Sequence, residues 1–63
     1  MQNGTMSKFQ DAVGGYTIDR LLDALVRLSE TRASARDAGN AHAATDRSAK
    51  IAIIRSEIAR RAA

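Results

Sequence analysis

Sixty-three residues with no Cys and a single His leave room for one small domain and exclude a disulfide framework or a Cys-based zinc site. The formal charge of +3 is lopsided, because residues 47–63 carry Arg47, Lys50, Arg55, Arg60 and Arg61 against Glu57 alone. That asymmetry suits an anionic partner (nucleic acid, a lipid surface or an acidic protein patch), and it equally suits a solvated helix end whose cations oppose the C-terminal dipole.

Residues 1–6 read as a flexible N-terminus ahead of a single small helical domain over residues 7–63. Ser7-Lys8-Phe9-Gln10 fits a capping box, with Ser at the N-cap and Gln three residues on. The helix predicted there, about residues 7–13, stops at Gly14-Gly15, and Phe9 and Val13 share one face of it.

The second helix, about residues 17–38, is better signed. Thr17 is a good N-cap, Asp19 lies in the first turn, and Tyr16 and Leu21 stand at staple positions. Ile18, Leu21, Leu22, Leu25 and Leu28 then recur at three- and four-residue steps, with Val26 on the flank. Asp23 and Arg27 add an i,i+4 ion pair.

Gly39-Asn40 reads as a helix end followed at once by an N-cap, the short connection that joins antiparallel helices. The third helix, about residues 41–62, turns Ala44, Ile51, Ile54, Ile58 and Ala62 inward. Asp46 with Lys50 and Glu57 with Arg61 are expected to brace it from outside. The alternative is one unbroken helix from Thr17 onward, since Gly inside a helix costs only about 1 kcal/mol against Ala.

The expected fold is therefore all-α: a short N-terminal helix plus an antiparallel helical hairpin. Folding the chain at Gly39-Asn40 sets Leu21 against Ile58, Leu25 against Ile54, Leu28 against Ile51 and Ala35 against Ala44. The same register sets Arg32 against Arg47, with Arg36 beside them, on an otherwise apolar seam. Burying unpaired guanidiniums costs several kcal/mol each, so these heads must reach water, a carboxylate or an anion. Snorkelling stems, salt bridges to Glu30, Asp37 or Asp46, and a bound phosphate or carboxylate all satisfy that demand.

A core this thin calls for a staple, and self-association is the one left. Leu22 and Val26 exceed a strict two-helix seam, and Ile53 is expected on the back of the third helix, beside Ala49 and Arg60. These three are the expected oligomer contacts of a homodimeric helix bundle made from two hairpins.

No carboxylate pair, Ser/His/Asp set, Gly-rich phosphate loop or metal spacing occurs, so no enzyme, metal or cofactor is expected. His42, in the first turn of the third helix, reads as a surface residue. No stretch approaches the roughly 20 apolar residues of a membrane span. The opening Met1-Gln2-Asn3-Gly4-Thr5 lacks a signal peptide's basic start and apolar run. A cytoplasmic setting without membrane contact is expected.

The resulting expectation is a non-enzymatic protein–protein interaction module, of the inhibitor or adaptor kind found in phage and mobile elements. Its partner is expected to be a protein with an acidic surface. Arg32, Arg36, Arg47 and Lys50 are the candidate contacts at the turn end, and Arg55, Arg60 and Arg61 those along the last helix. Two alternatives stand beside it: an RNA- or DNA-binding hairpin using the basic last helix, and a binder of a small anionic ligand at the arginine cluster. In size and hairpin layout alone the chain resembles the small Rop-type bundles that bind paired RNA loops; no motif is shared and no residue carries over.

Overall fold

Helix boundaries in this chain are set by side chains and glycines that complete what the helical backbone leaves open at each end. The computed structural model describes residues 3–63 as three helices: α1 (Asn3–Gly14), α2 (Ile18–Asp37) and α3 (Ala41–Ala62), with no strand among the described residues. Residues 1 and 2 lie outside the described residues.

α1 starts four residues earlier than the capping box predicts, so Ser7 lies within the helix and residues 3–6 are helical. Met6 supplies the reason. It is half-buried, and with Phe9 and Val13 it completes an i, i+3, i+7 stripe on one face. At the other end, Gly15 N–H donates to the Ala12 carbonyl and Tyr16 N–H to the Val13 carbonyl, both at 3.0 Å. These tighter i→i−3 bonds close the helix.

Thr17 caps α2 as expected, its side chain accepting from Arg20 N–H at 3.1 Å. The end of α2 excludes the single long helix. Gly39 adopts φ 75°, the left-handed conformation glycine enters freely. Gly39 N–H then bonds the Arg36 carbonyl at 3.0 Å, and Asn40 N–H the Ala35 carbonyl at 2.8 Å. This Schellman arrangement satisfies two orphan acceptors. Asn40 restarts the chain at once, its side chain accepting from Ala43 N–H at 3.0 Å.

All three helices feed one core. Val13, Leu21 and Ile54 are sealed from solvent, and Phe9, Tyr16, Ala24, Leu25, Leu28, Ile53 and Ile58 pack against them. Ile51 and Ala44 are buried as well. Full burial of each large aliphatic side chain contributes about 1.5–3 kcal/mol. α2 and α3 share the larger contact, and α1 packs on α3.

Ile53 corrects the sequence reading. It was expected on the outer back of α3, yet it is half-buried and belongs to the Val13–Leu21–Ile54 cluster. α1 lies along that flank of α3, so a position well off the main seam still becomes interior. The molecule measures only 16 Å across its shortest dimension, less than two helix diameters. One side of the α2–α3 pair is covered by α1 and the other is left open.

Candidate functional site

At 100° per residue, Asp46, Lys50, Ile53, Glu57 and Arg61 share one flank of α3, and α1 covers it. Lys50 Nζ stands 5.5 Å from the centroid of the Phe9 ring. At the far end Arg61 reaches across to the end of α1: its Nη1 donates to the Tyr16 carbonyl at 2.5 Å, and its Nη2 to the Gly14 and Val13 carbonyls at 3.2 and 3.4 Å. The Gly14 carbonyl is among the acceptors a helix C-terminus leaves open, and a cation at that end also opposes the dipole.

Glu57 aims the arginine. Its Oε2 accepts from Arg61 Nε at 2.6 Å, while Arg60 Nε donates to Oε1 at 3.2 Å and Arg60 Nη2 to Oε2. The bonds from Arg60, then those from Arg61, hold the Glu57 carboxyl below its ordinary range. The same bond raises the Arg60 guanidinium further.

Asp46 plays a similar part nearer the turn. It accepts from Arg47 Nη1 at 2.8 Å and Lys50 Nζ at 3.3 Å. Its partial burial pushes the carboxyl upward, but the hydrogen bonds and charges of Lys50 and Arg47 outweigh that and hold it low. The Asp46–Lys50 and Glu57–Arg61 pairs were expected to brace α3 from the solvent side. Both instead sit on the α1 flank, with the Glu57 side chain only 12% exposed.

The opposition of Arg32 and Arg47 resolves by their heads parting. Arg47 turns to Asp46, whereas Arg32 Nη1 donates to Ser48 Oγ at 3.5 Å. Asp46 and Ser48 lie 160° apart if the ideal turn per residue is followed, so the two guanidiniums leave on nearly opposite flanks of α3. A salt bridge is therefore the answer for Arg47, and a neutral partner for Arg32.

The open flank has a different character. Arg36 and Arg55 are exposed, and among the described residues neither they nor Arg32 has a carboxylate partner. The exposed large hydrophobic residues Ile18, Leu22 and Val26 follow one another at four-residue steps on α2. Ile18, Leu22, Leu25, Ser29, Arg32 and Arg36 form a stripe of alternating four- and three-residue steps beside the core seam. On α3 the matching stripe is Ser48, Ala52, Arg55, Ala59 and Ala62. The Arg32–Ser48 hydrogen bond ties the two stripes to the same side.

The ten sequence-predicted site residues thus fall into three groups. Arg47, Lys50, Arg60 and Arg61 are held by Asp46 and Glu57. Arg32, Arg36, Arg55, Leu22 and Val26 face the open side. Ile53 is part of the core. Glu57 and Ser48, the acceptors that sort the cations, were not singled out as site residues; the i,i+4 spacing of Glu57 and Arg61 was the available signal.

A shallow cleft of about 390 Å³ lies along another flank of α2, lined by Tyr16, Arg20, Asp23, Ala24 and Arg27. Its charges are already engaged: Arg27 pairs with Asp23 at 3.0 Å, and Arg20 stacks 4.8 Å from the Tyr16 ring centroid. His42 is exposed in the first turn of α3. No helix among the described residues is long and apolar enough to cross a membrane. No protein-family model matches the chain, and neither does any curated protein or solved structure.

Proposed function

We propose that the chain is a non-enzymatic, cytoplasmic interaction module in which α2 and α3 form an antiparallel hairpin, α1 closes one side, and the open side docks an acidic protein surface. Three observations support the hairpin. The helices are joined by only three residues, Arg32 meets Ser48, and Leu21 and Ile54 share one cluster.

The observation that carries the function is the sorting of the arginines. Asp46 and Glu57 engage the cations on the covered flank, while Arg32, Arg36 and Arg55 have no acid and continue the side on which Ile18 and Leu22 are exposed. Guanidinium forks match carboxylates, and aliphatic neighbours suit a protein surface. Nucleic acid is the weaker reading. Phe9 and Tyr16, the chain's two aromatic residues, pack against the core, which leaves no stacking platform on the open side. A homodimer through Leu22 and Val26 is also less favoured, because it brings the unpaired arginines of two copies onto one contact.

The test is a titration of the labelled protein with a polyglutamate peptide and, separately, with a short single-stranded RNA, followed by amide resonances. Polyglutamate is expected to shift Arg32, Arg36 and Arg55 in a salt-sensitive manner, and the triple Ala variant to remove the shifts. Binding of RNA alone, or shifts confined to Lys50, Arg60 and Arg61, overturns the reading.

A further inference from the structure

We infer that the acidic partner presents itself as an amphipathic α-helix laid into the groove between α2 and α3 on the side away from α1. This inference rests on the reading of the open side as an acid-binding protein surface, and it specifies the shape of what binds there. Each of the two helices carries a second stripe at heptad spacing beside the seam already used for the core. Two such stripes side by side form the receiving groove of a three-helix bundle, a groove that a third helix fills. α1 does not fill it, since α1 packs on the opposite flank of α3 around Lys50, Ile53 and Arg61.

The chemistry of the groove changes along its length. Toward the start of α2 it is apolar and small, with Ile18 and Leu22 exposed at 44% and 47% opposite Ala59 and Ala62. With Arg32 level with Ser48, Arg55 falls level with Leu25. Arg32 then follows about 10 Å further along and Arg36 about 6 Å beyond it. The complementary helix has apolar residues at one end of its docking stripe and carboxylates at positions i, i+7 and i+11 along the rest. Those three positions lie on a single helical face, so one straight helix satisfies all three guanidiniums at once. An extended peptide or a flat acidic patch meets the cations but leaves Ile18 and Leu22 uncovered. A second copy of this chain offers no such stripe, because its own open face repeats the three arginines.

The deciding experiment uses the full chain and a designed helical peptide with Leu at the apolar stripe positions and Glu at i, i+7 and i+11, made in forward and reversed order. A peptide with Lys replacing those three Glu, and polyglutamate without the Leu stripe, are the controls. Calorimetry is expected to give binding to one orientation of the Leu/Glu peptide, weakened on the order of tenfold or more by the Lys exchange. Arg55→Glu, in a chain shown by circular dichroism to stay folded, is expected to cause a similar loss, restored by a peptide in which only the Glu facing Arg55 is replaced by Lys. Equal affinity for polyglutamate and the Leu/Glu peptide overturns the helix inference while leaving the acidic-surface reading standing. Binding of neither acidic peptide overturns both. Concentration-dependent dimerisation abolished by Leu22→Asp replaces the partner helix with a second copy and overturns the inference as stated.

Discussion

The two flanks of α3 treat their charges differently. On the α1 flank, Asp46 and Glu57 each hold two cations, and Arg61 goes on to cap the end of α1. On the other flank Arg55 stands with Arg32 and Arg36 of α2, and none of the three meets a carboxylate among the described residues. Charge count alone does not separate a structural arginine from an available one. What separates them is whether Asp46 or Glu57 lies within reach along the helix, and whether another helix covers the pair.

Breaking the covered flank has the largest expected effect. Val13→Asp places an unpaired carboxylate in the sealed cluster and is expected to cost about 3 kcal/mol or more, releasing α1. Hydrogen exchange resolved by residue checks this: α1 amides lose protection first, and unchanged protection in α1 means the flank is not held as described.

Arg61→Ala comes next, at about 2 kcal/mol, because it removes two bonds to α1 carbonyls, one to the Tyr16 carbonyl just beyond α1 and one to Glu57. Its neighbour provides the contrast. Arg60→Ala, with a side chain 68% exposed, is expected to shift a urea midpoint hardly at all. Equal losses from the two arginines contradict the capping role.

Gly39→Ala tests the joint that both flanks depend on. No atom crowds the position, so the cost is conformational alone, about 1 kcal/mol for a φ of 75°. A melting temperature equal to the parent's means the turn does not need the left-handed residue.

Acid distinguishes the flanks without mutation. Both Asp46 and Glu57 are held below their ordinary values, so as the pH falls the unfolded chain takes up protons first. The stability they contribute is fully present above the ordinary carboxylate range, near pH 4, and is lost as pH drops through their lower folded values. Melting temperature is expected to decline over that window, and Glu57→Gln to make the decline shallower. An unaltered slope removes Glu57 from the account.

The smallest expected effect is on the open flank. Arg55→Ala and Leu22→Ser are predicted to change stability by no more than about 0.5 kcal/mol in denaturant melts, as surface substitutions do. A large loss there means that the face is already used within the molecule or its oligomer.

Much of the helix plan was legible in the residues. Thr17, Gly39 and Asn40 act through local hydrogen bonds and a single backbone conformation, and local interactions are what a sequence states directly. The seam residues Leu21, Ile51 and Ile54 followed from periodicity alone. Ser7 misled because its capping box competed with a longer apolar stripe that Met6 extends. The site was legible only as a list of cations. The i,i+4 spacing with Glu57 set Arg61 apart from Arg55, but nothing in the pattern said that α1 would cover that pair.

The sequence by itself determined where α2 and α3 begin and end and which face of each is greasiest, because capping and 3.6-residue periodicity are properties of a single segment. The tertiary structure alone decided that α1 lies along Lys50, Ile53 and Arg61, which drew Ile53 inside and turned Arg61 into a cap. A helical wheel assigns an angle to each residue but no neighbour. In a molecule of three short helices, the placement of the smallest one decides which angles are interior and which are left for a partner.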